Sequence, residues 1–227
     1  MKFIIPFSKM FSRLDFLKRK FDFDPRVIYD IGAYEGVWTH SCKKVFPSST
    51  YYQFEANSDK VSSLHDNPTI CVLSDKDEDE VTYYKSFHEI PTGNSILKEN
   101  SLFYDDGKFT TEKRITTTLD TVVINKKYPY PDFLKLDTQG SELLILSGAP
   151  KCLEHAQIVL MEVSLHQYNE KAPLIYDFLK FMDEKGFVTF DIVALNYLDY
   201  GKHSGILTQV DLLFCRKDSR FLVSRFD

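Results

Sequence analysis

Two acidic residues stand near the ends of apolar segments in the first quarter of the chain. Residues 27–31 are apolar except for Asp30, and a turn with glycines at Gly32 and Gly36 follows. A second apolar run ends in Glu55. In α/β proteins the carboxyl ends of neighbouring strands border the crevice where nucleotides bind. The two acids therefore predict half of a nucleotide-binding site.

The glycine spacing and the acids distinguish between two classes of nucleotide. Dinucleotide sites use G-x-G-x-x-G, but with Gly32 as the first glycine the next two positions are Tyr34 and Val37. Asp30 would also repel a pyrophosphate by several kcal/mol at an effective dielectric of about 20. An NAD-dependent oxidoreductase is therefore disfavoured. S-adenosylmethionine has no phosphate, so we expect Asp30 to attract its cationic methionine end, directly or through water, and Glu55 to accept its ribose hydroxyls.

Three further residues are candidates for the chemistry of methyl transfer. Asp137 ends the fourth predicted strand, Glu162 ends the fifth, and His166 follows four residues later. Transfer to a neutral hydroxyl needs alignment and a base within hydrogen-bond reach. We predict these three as catalytic residues, with a surface or structural role as the alternative for His166. They could instead hold Mg²⁺, which prefers oxygen ligands, but nothing in their spacing demands a metal and none is predicted.

Two charged residues accompany Asp137. Lys135 lies in step with it on the same strand, where we expect it to pair with a carboxylate or to line the pocket. Glu142 lies in the first turn of the following helix, a position that the helix dipole favours for an acid.

The elements that position these residues alternate from residue 27 onward. Several predicted strands are continuous apolar runs, such as residues 158–161, which is typical of a parallel sheet covered by helices on both faces. The pattern predicts a doubly wound α/β sheet. The predicted strands are 27–31, 50–55, 69–73, 133–137, 157–163, 187–193 and 209–216, and the predicted helices are 38–46, 58–65, 119–126, 141–149 and 173–185.

Two segments lie outside this alternation. Residues 1–26 contain an amphipathic helical stripe with basic residues on the other face, which suits a helix that covers the domain or lids its pocket; dimerisation or membrane-surface contact is the alternative. Residues 75–118 form a long excursion that leaves the sheet after the third strand. Long loops are commonly functional, so we expect a substrate-side insertion, with a small antiparallel hairpin as the alternative. The remaining 27–227 region is the predicted catalytic domain.

Composition excludes some partners. The 227-residue chain has 28 basic and 33 acidic residues, a net charge of −5, and no basic footprint for nucleic acid. Its four cysteines form no C-x-x-C pair, so reduced thiols in a cytoplasmic enzyme are expected. No apolar run approaches the roughly 20 residues of a membrane span, and residues 3–7 are too short for a secretory signal.

The chain resembles the FkbM family of S-adenosylmethionine-dependent methyltransferases. The residues that carry the resemblance are 30–36, 54–57, 73–75, 118–120, 135–142 and 209–214, in this order, and the likeness spans about residues 27–217. The block 135–142 is the most specific. The resemblance implies a Rossmann-like class I sheet of seven strands in the order 3-2-1-4-5-7-6, with the seventh antiparallel, and usually methyl transfer to oxygen. Tyr34 departs from the small residue or Asn that the family often has there.

These observations define the expected site and function. The predicted cofactor contacts are Asp30, Gly32, Ala33, Gly36, Glu55, Ala56, Asn57, Ser74 and Asp75. Capping stays an alternative for Asp30 and Asn57, as does a solvated surface position for Glu55 and Asp75. The expected function is O-methylation of a hydroxyl on a sugar or small biosynthetic intermediate, with a glycan or small molecule as acceptor and a homodimer left open. The alternative is a non-catalytic module that binds a partner through its N-terminal helix.

Overall fold

The computed structural model describes residues 7–86, 93–100, 109–198 and 201–222. The strands are β1 Val27–Ile31, β2 Thr50–Glu55, β3 Thr69–Ile70, β4 Val72–Leu73, β5 Glu80–Ser86, β6 Phe109–Thr117, β7 Phe133–Leu136, β8 Ile158–Ser164, β9 Phe187–Tyr197 and β10 Leu207–Arg216. The helices are α1 Phe7–Phe21, α2 Val37–Cys42, α3 Leu119–Lys126, α4 Glu142–Ser147, α5 Pro150–His155 and α6 Ile175–Glu184, with a 3₁₀ helix at Ser58–Ser63. None of the helices in these ranges is long and apolar enough to cross a bilayer.

Seven strands form the main sheet in the order β3-β2-β1-β7-β8-β10-β9. Counted along the chain within this sheet, the order is 3-2-1-4-5-7-6, as predicted. The neighbouring strands β3, β2, β1, β7 and β8 of this sheet pair in parallel. Strand β10 pairs antiparallel with both β8 and β9. The predicted seven-stranded α/β fold, with its antiparallel last strand, is therefore confirmed.

The sheet is buried on both faces, which explains its apolar strands. One face packs against α4, α5 and α6 through residues such as Leu134, Val159 and Phe178. The other packs against α1 and α2 through residues such as Phe133, Leu160 and Trp38. Every residue of β7 is buried, as expected for a central strand with helices on both sides.

The helix α1 belongs to the packed domain. Its apolar stripe contributes Met10, Leu14 and Leu17, all less than 5% exposed, to the core on the α2 side of the sheet. Arg13 on its polar side forms an ion pair with Asp191 of β9. The predicted helical stripe is therefore observed, and its apolar face is covered by the chain's own sheet.

The excursion after the third strand contains an antiparallel hairpin, which was the predicted alternative to a substrate-side insertion. Strands β5 and β6 pair antiparallel over residues 80–86 and 109–115, and β4 adds to β6 as a parallel third strand. The predicted strand 69–73 is divided because the chain leaves the main sheet at Cys71, between β3 and β4. Part of this excursion, residues 87–92 and 101–108, lies outside the described residues.

Other differences concern the bounds of strands and helices; β9, for example, extends to Tyr197, four residues beyond the predicted strand 187–193. The predicted helix 58–65 is the 3₁₀ helix, and α5 follows α4 after a break at Gly148 that the prediction of a single helix over 141–149 did not include. A Cβ atom on Gly148 would lie 2.3 Å from the carbonyl oxygen of Ser74. The break thus lets the chain pass close to the loop that follows β4.

Candidate active site

A cavity of about 280 Å³ lies at the carboxyl ends of the central strands. Its walls come from the loop after β1, the end of β2, the segment 71–73, the loop after β7, and the ends of β8 and β10, with further contributions from α1, Tyr83 and residues 94–96. This is the position where ligands bind in open α/β sheets. We take it as the candidate active site.

The loop after β1 depends on glycine at its first position. Gly32 has φ +74°, and a Cβ atom there would lie 1.8 Å from the carbonyl oxygen of Asp137. The loops that follow β1 and β7 therefore touch through this glycine. Gly36, with φ +73°, begins α2 and packs against Gln53 away from the cavity. Gly32 thus permits contact between the two loops, whereas Gly36 permits the turn that precedes α2.

Tyr34, between them, also has a left-handed backbone, with φ +50°. This conformation is uncommon for residues other than glycine, asparagine and aspartate, so the backbone of the loop is strained at this position. The ammonium of Lys60 lies 4.2 Å from the centre of the Tyr34 ring and 3.1 Å from its hydroxyl. Lys60 also pairs with Glu35 at 2.7 Å. These contacts hold the ring at the cavity wall.

Glu55 is fixed by backbone amides on both sides. Its Oε2 accepts the N–H of Tyr34 at 2.7 Å, and its Oε1 accepts the N–H of Asn57 at 2.7 Å. Burial raises the pKa of Glu55, and these backbone hydrogen bonds oppose that rise. The backbone N–H of Ala56 also bonds to this carboxylate. Each carboxylate oxygen has two acceptor positions and Glu55 lines the cavity, so the carboxylate can also accept a hydrogen bond from a ligand there.

Asp30 is fully buried and already paired. Its Oδ1 lies 3.0 Å from the Lys135 ammonium, and its Oδ2 accepts the hydroxyl of Thr39 at 2.6 Å. Asp30 and Lys135 are direct partners in the register of β1 and β7. The ammonium also donates to the carbonyl of Gly32 at 2.9 Å. Lys135 therefore both pairs with a carboxylate and lines the cavity, the two roles expected for it.

Three carboxylates lie side by side along the cavity floor. Asp137 follows β7, Glu162 lies near the end of β8, and Asp211 on β10 is the direct antiparallel partner of Glu162. Gln139 bridges two of them: its Nε2 lies 2.9 Å from Oδ1 of Asp137 and 2.9 Å from Oε2 of Glu162. The loop and the two strands thus present one connected acidic surface.

Amide side chains complete this network. Gln209 donates to Oε2 of Glu162 at 2.7 Å. Asn196 donates to Oε1 of Glu162 at 3.1 Å and lies 3.4 Å from Oδ1 of Asp211. Amides supply donors without adding charge, so they hold the carboxylates in place without neutralising them.

The acidic surface has perturbed proton affinities. Burial, followed by the charge of Asp137, raises the pKa of Glu162 well above its ordinary value. The same two causes raise the pKa of Asp211 to about 7. Raised carboxyl pKa values in a cleft are a common property of functional sites, because they bring a base near the working pH.

Glu142 holds the loop that carries Asp137 and Gln139. Its Oε1 accepts the N–H of Thr138 at 2.8 Å, and its carboxylate also accepts the N–H of Gly140. It is only 1% exposed. Glu142 therefore has two roles: it lies in the first turn of α4, and it stabilises the loop that precedes this helix.

Two segments outside the main sheet close the cavity. Ser95 donates to the carbonyls of Thr138 at 3.2 Å and Gln139 at 3.1 Å, and its neighbours Asn94 and Ile96 line the wall. On the other side, Met10 of α1 lines the wall, and its sulfur accepts the indole N–H of Trp38 at 3.3 Å.

The structure brings together only part of the predicted site. The residues that line the cavity are Gly32, Ala33, Glu55, Ala56, Asp137 and Glu162; the residues that do not are Asp30, Gly36, Asn57, Ser74, Asp75 and His166. Cofactor or catalytic roles remain predictions for the first group. The second group lies outside the cavity wall, and its roles also stay predictions.

The local structure explains why these residues lie outside the cavity wall. Asp30 lies behind Lys135. Asn57 caps the 3₁₀ helix, where its side chain accepts the N–H of Asp59. Ser74 and Asp75 follow β4 into the smaller sheet, where the Ser74 N–H donates to Thr117.

His166 lies two residues beyond β8 and is exposed to solvent. Its side chain is therefore separated from the two carboxylates with which it was grouped.

Several cavity residues were not predicted. Asp211 and Gln209 reach the site through antiparallel pairing of β10 with β8, and the register of that pair is not evident from the sequence. Met10 and residues 94–96 come from the two segments that lie outside the strand–helix alternation. Cys71, Val72 and Leu73 line the wall where Ser74 and Asp75 were expected. In the described parts of the chain, no group of three or more His, Cys, Asp or Glu residues is arranged to hold a metal ion.

Comparison with solved structures identifies the class of fold. A candidate O-methyltransferase from Klebsiella pneumoniae superposes with a TM-score of 0.50 at 12% identity, over 93% of this chain and 81% of that one. A candidate RNA methyltransferase from Pyrococcus horikoshii gives 0.46 at 15% identity, over 91% and 82%. A methyltransferase FkbM from Methylobacillus flagellatus gives 0.48 at 16% identity, over 83% of this chain and 43% of that one. The fold is that of class I methyltransferases.

The sequence itself identifies the family. The model of the methyltransferase FkbM domain matches residues 30–189, more than half of the 227 residues. The chain therefore belongs to the FkbM family of S-adenosylmethionine-dependent methyltransferases. No curated protein sequence matches it significantly.

Proposed function

We propose that this protein transfers the methyl group of S-adenosylmethionine to a hydroxyl oxygen of a sugar or another small biosynthetic intermediate. The observation that carries the proposal is the bridge from Gln139 to Asp137 and Glu162 in the same cavity as the glycine loop and Glu55. A hydroxyl must lose a proton as it is methylated, and the bridged carboxylates offer an acceptor for that proton.

The cavity fits the parts of the cofactor. Glu55 lines the cavity and is proposed to accept the ribose hydroxyls. The N–H of Cys71 donates to the Glu55 carbonyl at 3.0 Å, so the apolar residues Val72 and Leu73 run beside the ribose acid and offer a surface to a planar base. When bound there, the cofactor supplies an electrophilic methyl group. The protein's own contribution is to align the acceptor and exclude water.

Asp137 and Glu162 are proposed to have different roles at the acceptor oxygen. Asp137 is the more accessible of the two, with 42% of its side chain exposed, and is suited to hydrogen-bond the acceptor. Glu162, with its raised pKa, is suited to take the proton. Gln139 fixes the separation of the two groups.

Acceptor selection is proposed to reside in the insertion. Asn94 and Ile96 line the cavity, and Ser95 ties them to the loop that carries Asp137. A change in residues 94–96 therefore alters the cavity wall next to the loop that carries Asp137. This supports a substrate-side role for the 75–118 segment.

Binding and turnover of three variants test the proposal. Asp137→Asn and Glu162→Gln are expected to lower kcat by about 10²–10⁴-fold. S-adenosylhomocysteine should still raise the melting temperature of both, by the wild-type amount in Glu162→Gln and by a smaller amount in Asp137→Asn, since the Asp137 carboxylate also lies near Lys135. His166→Gln is the matched control, since this residue lies outside the cavity, and should keep wild-type turnover. The assay supplies cofactor with a ¹³C-labelled methyl group to a panel of sugars and small hydroxylated and amino compounds. The carbon chemical shift of the product distinguishes O-methyl from N-methyl, and N-methyl products alone would contradict the proposal.

A further inference from the structure

We propose that Lys135 binds the carboxylate of the methionine moiety of S-adenosylmethionine. The inference starts from the charge behind the glycine loop. Asp30 was expected to attract the cationic end of the cofactor, but it is 0% exposed and its carboxylate faces Lys135 at 3.0 Å and Thr39 at 2.6 Å. Of this pair, Lys135 and not Asp30 lines the cavity.

The Lys135 ammonium has one donor that is only weakly used within the protein. A lysine ammonium has three N–H donors. One faces Asp30, a second reaches the Gly32 carbonyl at 2.9 Å, and the third makes only a long contact of 3.5 Å with the Ile31 carbonyl. The nearest cavity carboxylate, Asp137 Oδ2, is 3.9 Å away, beyond hydrogen-bond distance. A ligand carboxylate within the cavity can replace the long contact with Ile31.

The surrounding charges suit a zwitterion. The methionine moiety carries a carboxylate and an ammonium on the same carbon atom. Lys135 offers a cation, and Asp137 offers an anion about 4 Å from it, so both ends of the amino-acid group find an opposite charge. Burial strengthens such pairs because the effective dielectric is low. Asp30 thus acts on the cofactor through Lys135, as a positioning residue.

A ligand comparison separates binding of the carboxylate from support of the loop. The probes are S-adenosylhomocysteine and its decarboxylated analogue, which keeps the ammonium and the adenosine, with affinities measured by calorimetry. In the wild type, loss of the carboxylate is expected to weaken binding by about ten- to hundredfold, the usual range for a charge-assisted hydrogen bond. In Lys135→Gln, which keeps a donor for the Gly32 carbonyl but removes the charge, the two ligands should bind with similar affinity.

Controls address folding and general charge effects. Lys43→Met removes a lysine that is paired with Asp66 outside the cavity and should leave the wild-type ratio of affinities unchanged. Lys135→Met serves as a second variant that lacks any donor. If Lys135 only supports the loop, both probes lose affinity equally in both Lys135 variants, and the ratio between them stays at its wild-type value.

The outcomes also distinguish this inference from the function on which it rests. It depends on the cofactor and not on the acceptor. Wild-type protein that binds both probes equally would overturn the role of Lys135 while leaving the cofactor assignment intact. Wild-type protein that binds neither probe would overturn both. A ratio above tenfold that collapses in Lys135→Gln but persists in Lys43→Met would establish the role.

Discussion

The backbone N–H of Tyr34 lies 2.7 Å from Oε2 of Glu55. This bond joins the loop after β1 to the end of β2, so the conformation of the loop and the position of the acid depend on each other. It also explains why a tyrosine is tolerated with φ +50°. This backbone conformation directs the N–H toward the carboxylate, and the resulting hydrogen bond offsets part of the strain.

Glu55→Gln should therefore affect both stability and binding. The substituted side chain has one carbonyl oxygen for two backbone donors, so one N–H faces the amide nitrogen. A buried donor left unpaired costs about 1–3 kcal/mol, which should appear as a lower urea midpoint. The variant should also lose most of the thermal stabilisation by S-adenosylhomocysteine. Glu80→Gln, at an exposed acid of β5, is the control. Equal behaviour of the two variants would contradict the role of Glu55 in holding the two backbone N–H groups.

Gly32→Ala should prevent cofactor binding. The new Cβ would lie 1.8 Å from the Asp137 carbonyl oxygen, a distance that forces the loops after β1 and β7 apart. Gly186→Ala is a matched control, since Gly186 has φ +83° but nothing within 4 Å of the added atom.

The control should lose only about 1 kcal/mol from backbone strain. Gly32→Ala should lose several times more, together with the thermal shift from S-adenosylhomocysteine. If urea denaturation showed the same loss of stability in Gly32→Ala and Gly186→Ala, the close contact with the Asp137 carbonyl would not be what constrains position 32.

Asp211 should make the protein less stable as the pH rises. Its pKa is raised from 3.8 to about 7, so between these values the folded state binds more protons than the unfolded state. The free energy of unfolding therefore falls as the pH increases through this window. Asp211→Asn should remove this part of the slope, about 1–3 kcal/mol once contact with water at the cavity is allowed for.

The measurement is urea denaturation at a series of pH values from 4 to 8 (roughly the span of the shift). Asp183→Asn, at an exposed acid of α6, should retain the wild-type profile. An unchanged profile in Asp211→Asn would assign the slope to other carboxyls.

The main sheet was predictable because its evidence is local. Each strand is an apolar run of ordinary length, and the runs alternate with amphipathic stretches. The glycine loop and the acid at position 55 were predictable for the same reason, since strand ends in a parallel sheet converge. The strand order came from the family resemblance, because pairing order depends on contacts between distant segments.

The rest of the site depends on such distant contacts. Asp211 is opposite Glu162 only because β10 inserts antiparallel between β8 and β9. Asp30 was expected to contact the cofactor because a strand-end acid usually faces the crevice. In the structure its carboxylate instead forms an ion pair with Lys135, its register partner on β7. Ser74 and Asp75 lie outside the cavity wall because the chain leaves the main sheet at Cys71, a departure that has no sequence signal.

The last prediction concerns α1, for which the sequence suggested a cover, a dimer contact or a surface contact. Leu14 is 0% exposed within the core on the α2 side of the sheet. Leu14→Ala should therefore destabilise the whole domain by about 2–5 kcal/mol, the usual cost of removing a buried leucine side chain. Leu179→Ala on α6, where the side chain is 41% exposed, should cost much less. The urea midpoint of each variant measures the difference.

The comparison also distinguishes between the roles of the helix. A helix that covers the domain loses stability when its buried stripe is truncated, because the cavity left in the core cannot be filled by water at low cost. A helix that serves mainly to contact a membrane or partner would leave the midpoint of Leu14→Ala close to that of Leu179→Ala. Since Met10 of the same stripe lines the active-site wall, Leu14→Ala should in addition reduce the affinity for S-adenosylhomocysteine or for the acceptor, whereas Leu179→Ala should not.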